Sequence, residues 1–107
     1  SFDESQGQAQ EDGVDYKAVE KEAKKLLKSG DPTDRTTAIY DLAETNDPRA
    51  IKLFKAGAEK EKNREVIDAY AMAMGMFTDS KAIKDIYKYL STELASSATD
   101  LSFLSRH

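Results

Sequence analysis

The sequence predicts an all-α fold: a short right-handed α-α superhelix of antiparallel helix pairs, with about five main helices and a short sixth near the C-terminus. Three observations predict it. A five-residue box recurs at a fixed interval of 32 residues, as Asp15-Tyr16-Lys17-Ala18-Val19, Asp47-Pro48-Arg49-Ala50-Ile51 and Asp79-Ser80-Lys81-Ala82-Ile83. Each copy reads acid, any residue, base, alanine, β-branched aliphatic, and each opens a run with helical spacing. The only two prolines, Pro32 and Pro48, both follow an aspartate, where an acid caps a helix and proline occupies its first turn. A repeat of this size marks a stack of equivalent helical units, each burying its apolar face against the next.

The first helix is expected over residues 15–29, with Ala18, Val19, Ala23, Leu26 and Leu27 on its inner face. Asp15 is its expected N-cap and Gly30 its left-handed C-terminal residue, while Lys24, Lys25 and Lys28 complement the negative end of the dipole. Asp31-Pro32 starts the second helix, whose stripe is Ala38, Ile39, Leu42 and Ala43, and Thr45-Asn46 ends it. The third turns Ala50, Ile51, Phe54 and Ala58 inward before a charged corner at residues 59–62. Asn63 caps the fourth, expected to run to Phe77. Its second half, residues 69–77, is apolar on every side, which predicts a helix covered on more than one face and central to the stack. Met72, Met74 and Met76 are accordingly expected as core filler rather than as an adaptable groove. Ala82, Ile83, Ile86, Tyr87 and Leu90 line the fifth helix. A turn is expected at residues 95–99, followed by a short closing helix carrying Leu101, Phe103 and Leu104.

The charge is unevenly placed. The chain has a formal net charge of -4, yet residues 1–15 hold Asp3, Glu4, Glu11, Asp12 and Asp15 and no base. The remainder is close to neutral. Residues 1–14 read as a disordered acidic leader or tether, too poor in apolar residues to offset the entropy of ordering, and residues 15–107 as the helical-repeat domain. The leader suggests attachment to an envelope or a larger chain. Because the chain opens on Ser1 without Met, it reads as a processed form or an excised piece. The longest apolar run, nine residues, falls short of the roughly 18–20 of a membrane span.

The short helix pairs, a period near thirty and the box at residues 47–51 resemble HEAT-like repeats of the armadillo-like class. The likeness is closest to the short variety found in phycobilisome-lyase-type proteins. Arg35, Ala38 and Leu42 followed by Asp47-Pro48-Arg49-Ala50-Ile51 match that pattern. The next unit keeps Ala71, Gly75, Asp79, Ala82 and Ile83 but carries Ile67 where Arg35 stands. The resemblance covers about residues 15–94 and implies a scaffold or protein-interaction module with no catalysis of its own.

Reactive side chains are scarce, in line with that implication. There is no Cys, and the one His is His107. That leaves Ser91, Thr92, Ser96, Ser97 and Thr99 without a candidate base. Asp15, Asp31, Asp47 and Asp79 each precede a helix and are expected to cap it rather than form a carboxylate cluster. Asp12-Gly13-Val14-Asp15 lacks the alternating oxygens of a calcium loop, no glycine-rich phosphate cradle is present, and no cofactor is expected. What survives is a ladder of bases at equivalent positions: Lys17, Arg49 and Lys81 in the boxes, then Lys21, Lys24 and Lys28, Lys52, and Lys84 and Lys88. Interspersed Glu20, Glu59 and Asp85 allow it to be an ordinary solvated face. As a binding surface it would suit a protein partner with an acidic segment. A nucleic acid is the alternative occupant, disfavoured by the near-neutral body, the acidic leader and the few aromatics available for stacking.

Overall fold

The computed structural model describes residues 15–105, with side chains through residue 95; the expected acidic leader lies outside the described residues. Five α-helices follow one another: α1 (Tyr16–Leu27), α2 (Pro32–Glu44), α3 (Ala50–Lys60), α4 (Arg64–Met74) and α5 (Ser80–Ser105). Among the described residues there is no strand. α2 packs chiefly against α1 and α4, and α3 lies against α2, α4 and α5. The arrangement is thus two layers, α2 and α4 in one and α1, α3 and α5 in the other.

The start signals work locally as their chemistry requires. Asp31 accepts from the Thr33 amide at 2.9 Å, Asp47 from Arg49 at 2.9 Å, Asp79 from Ala82 at 2.9 Å and Asn63 from Val66 at 3.2 Å. For α2, α4 and α5 the bond satisfies an amide that the first helical turn leaves unpaired; α3 departs from expectation, because Arg49 holds its cap position without a side-chain cap bond and Asp47 binds the Arg49 amide just before the helix. Asp15 occupies the cap position of α1 but makes no such side-chain bond. Gly30 does not have a positive φ, so α1 ends without the expected left-handed glycine.

The core is continuous across the layers. Ala38, Ile39 and Leu42 of α2, Ala50 and Phe54 of α3, and Val66 and Ala73 of α4 are fully buried. Phe54 is the hub, packing edge-to-face on Tyr70 and on Phe77 with ring centroids 5.7 and 5.9 Å away. Tyr16, not expected from the helical stripe, is buried at the start of α1, whereas Ala18 is exposed. Its ring lies under the Arg49 guanidinium, 4.3 Å from the centroid.

Two expectations are corrected. α4 is not covered all round: Val66, Ala69, Tyr70 and Ala73 face the core, but Met72 is 65% exposed and Met76 44%. Of the three methionines only Met74 packs against the core. The central position belongs to α2, because α1, α3 and α4 all close around it. There is also no turn at residues 95–99 and no separate closing helix, since α5 runs unbroken to Ser105. Neither proline nor glycine occurs after Gly75, so nothing in the covalent chain obliges the helix to stop there.

The turns are joined across one repeat period. Asn46, at φ 53°, accepts from the amides of Thr78 (3.0 Å) and Asp79 (3.2 Å) and donates to the Thr78 hydroxyl (2.9 Å). Asn46→Ala loses all three bonds and must also hold alanine in the left-handed region; the expected cost is about 2 kcal/mol. Asn46→Gly loses the bonds alone and is expected to cost about 1 kcal/mol less than the alanine variant, read by chemical denaturation. A second position depends on close approach rather than on φ. A Cβ at Gly57 would run into the buried Tyr70 phenol. Gly57→Ala should destabilise, because overpacking of about 1–3 kcal/mol exceeds the roughly 1 kcal/mol helix gain. In a Tyr70→Phe background, with the nearest atom removed, part of that loss is expected to return.

Candidate functional site

The ends of α1 and α3 and the turns that follow them enclose an open groove of about 720 Å³. Its walls include Leu27, Leu53, Gly57 and Tyr70, and its rim carries Lys24, Lys28, Lys60 and Lys62. The rim lysines are all exposed. Lys24 and Lys60 stand in the last turns of their helices, where a cation complements the negative end of the helix dipole. Lys28, the C-cap of α1, complements that end as well, whereas Lys62 follows the cap of α3 and precedes α4.

One wall is held by a part-buried ion pair. Arg35 donates through Nε and Nη2 to the two carboxylate oxygens of Glu61, at 2.8 and 2.9 Å, and through Nη1 to the Ser29 carbonyl at 2.8 Å. The Glu61 side chain is 7% exposed and also accepts from the amides of Lys62 and Asn63. The Arg35 hydrogen bonds hold the Glu61 carboxyl below the usual carboxylate range; burial opposes them and the Asn63 amide assists. Glu61 is therefore a structural acid, and its charge is spent inside the protein.

Tyr70 is the unusual wall residue. It is 3% exposed, and burial, with a smaller contribution from the Glu61 charge, pushes its hydroxyl up to about 12. Among the described residues no group forms a hydrogen bond with that hydroxyl. A buried O–H with no protein partner, lining a groove rimmed by lysines, suits an acceptor brought by a ligand.

The sequence-derived ladder is distributed over several places. Lys24 is in the groove. Lys81 and Lys84 border a separate shallow hollow at the start of α5, where Lys81 Nζ lies 3.3 Å from Asp85. Lys17, Lys21, Lys52 and Lys88 are exposed but line neither hollow. Arg49 is committed to Asp47, at 3.0 and 2.7 Å, and to the Tyr16 ring. That pairing draws the Asp47 carboxyl below its ordinary range. Glu20, which accepts from the Tyr16 hydroxyl at 3.1 Å, lies 4.0 Å from both Lys17 and Lys24. Lys17, Lys21 and Lys24 of α1 and Lys28 at its C-cap are spaced 4, 3 and 4 and form one stripe leading into the groove. Lys60, Lys62 and Tyr70 were not expected in a site. The first two read as part of a charged corner and Tyr70 as core, with no sequence signal to join them to α1.

Among the described residues no group of three His, Cys, Asp or Glu side chains is placed to hold a metal ion, and no helix is long and apolar enough to cross a membrane. Stacked helix pairs that present a lysine-rimmed groove define an α-helical repeat protein. The chain belongs to the HEAT-repeat family, whose profile matches residues 19–99. Repeats of this family generally mediate protein–protein interaction or scaffolding. No curated protein and no solved structure matches the chain.

The Glu61 pairing has a pH consequence. Its carboxyl is depressed in the folded state, so its contribution is complete above the unfolded value of about 4.3 and disappears as pH falls through the lower folded value. Glu61→Gln is therefore expected to flatten the fall in thermal midpoint below about pH 4.3, with a residual slope from Asp47, whose carboxyl is depressed in the same direction. A wild-type slope reproduced in Glu61→Gln would assign the acid sensitivity elsewhere.

Proposed function

We propose that this chain is a protein-interaction module whose groove between the ends of α1 and α3 receives an acidic segment of a protein partner carrying an apolar side chain. The observation that carries the reading is the buried Tyr70 hydroxyl, without a partner among the described residues, in a groove bordered by four lysines. A carboxylate can accept from that hydroxyl while the lysines steer its approach, and an apolar side chain can cover Leu27 and Leu53. Lys17 and Lys21 extend the positive stripe along α1. Arg49, Lys52, Lys81, Lys84 and Lys88 would contribute to approach at longer range, attenuated beyond a Debye length of about 8 Å at physiological ionic strength. No catalytic role is proposed. Within the family, Arg35 with the box at residues 47–51 supports placing the chain with the short phycobilisome-lyase-type repeats.

A labelled acidic peptide containing one Phe, a lysine-substituted counterpart and a single-stranded DNA of equal charge would distinguish the occupants by fluorescence anisotropy. The acidic peptide is expected to bind. Tyr70→Phe should weaken it about tenfold, the worth of a hydrogen bond to a charged acceptor, without loss of thermal stability. Combined Lys24→Glu, Lys28→Glu and Lys60→Glu should abolish binding. No binding of the acidic peptide overturns the proposal. Steeply salt-dependent binding of the DNA instead would favour the nucleic-acid alternative.

A further inference from the structure

The groove has a candidate occupant within the chain itself. Residues 1–14, outside the described residues, contain Asp3, Glu4, Glu11 and Asp12, no base, and a single large apolar residue before Val14, Phe2. That is the chemistry the groove is suited to receive: carboxylates for the lysine rim and the Tyr70 hydroxyl, and one aromatic ring for the Leu27 and Leu53 surface. We propose that residues 1–14 fold back along α1 and occupy this groove in cis, so that an external acidic segment must displace them. The proposal rests on the reading of the groove given under Proposed function and adds its regulation.

The geometry allows it. α1 is 12 residues long, or about 18 Å, and its C-terminal end borders the groove. The stretch from Phe2 to Asp15 can span at most about 45 Å, more than twice that distance, which leaves chain for a reversal before Tyr16. Lys17, Lys21, Lys24 and Lys28 form one stripe along the path. Charge favours this direction, because the hollow on the α1–α2 side is bordered by Glu22, Asp41 and Glu44 and would repel an acidic segment. A tethered segment acts at an effective concentration in the millimolar range, so even a weak contact is substantially occupied.

The chain has no Trp, so Phe2→Trp in the 107-residue chain supplies a single reporter at the proposed contact. At low salt its emission is expected to be blue-shifted. It should move to that of solvated indole in high salt or when Lys24→Glu, Lys28→Glu and Lys60→Glu are combined. The milder pair Lys28→Gln and Lys62→Gln, on exposed positions, should move it part of the way with an unchanged thermal midpoint. Emission typical of solvated indole at every salt concentration overturns the proposal, as does a blue shift unaffected by both groove variants. A shift that disappears on about hundredfold dilution assigns the contact to a second copy and also overturns it, since contact within one chain is independent of concentration.

The acidic-peptide probe separates this inference from the reading beneath it. Combined Asp3→Asn, Glu4→Gln, Glu11→Gln and Asp12→Asn should raise probe affinity roughly 2–10-fold by removing the competitor. Probe binding together with a solvated indole leaves the interaction module and removes the cis contact. A blue shift that both groove variants abolish, without probe binding even after the leader is neutralised, leaves the cis contact and removes the external partner.

Discussion

The pairing of Arg35 with Glu61 is the constraint on which the groove end of the molecule depends. One guanidinium reaches the turn after α1 through the Ser29 carbonyl and the turn after α3 through both Glu61 oxygens, while Glu61 itself accepts from the amides that lead into α4. Two layers of short helices therefore meet at one set of bonds. Apolar contact between Leu42, Phe54 and Val66 drives the helices together but is non-directional, and it would tolerate sliding of one pair on the next. A part-buried ion pair adds little net stability, since desolvation offsets much of the attraction. Its geometry nonetheless disfavours arrangements that leave either charge unpaired.

At the opposite end of the stack Asn46 plays the corresponding part with neutral groups. Its left-handed backbone turns the chain out of α2, and its amide is thereby presented to Thr78 and Asp79, one repeat further on. Thus the turns at one end are tied by charge and those at the other by an amide, with α2 passing between them. The cation–π contact of Arg49 on Tyr16 adds a third tie, from the start of α1 to the start of α3. Together these contacts fix the register of helices that are individually only 11–13 residues long and marginal in isolation.

The groove is a by-product of that register. Helix ends that converge bring their lysines together, and Gly57 leaves space into which the Tyr70 phenol fits beneath them. Tyr70 stacks edge-to-face on Phe54, so the ring of this groove-lining residue is held by the core. In the proposed docking, the hydroxyl is held by the core and the exposed lysines steer the approach of an acidic segment.

Local chemistry determined most of the fold from sequence alone. Aspartate, proline and asparagine start signals placed α2, α3, α4 and α5, and the 32-residue recurrence established them as equivalent units, because capping and helical periodicity act within a few residues. Which apolar residues are covered was decided elsewhere. Residues 69–77 look buried on all sides, yet Met72 and Met76 are exposed, since hydrophobicity shows that burial would be favourable but not that a neighbour is present to provide it. The stretch at residues 95–99 looks weak but holds no breaker, and α5 runs through it. The base ladder was legible as a pattern of residue types. The convergence of Lys24 and Lys28 with Lys60, Lys62 and Tyr70 was not, because those side chains belong to different helices and turns. Their proximity follows from helix packing and from the bond between Arg35 and Glu61, 26 positions apart, for which neither residue carries a local signal.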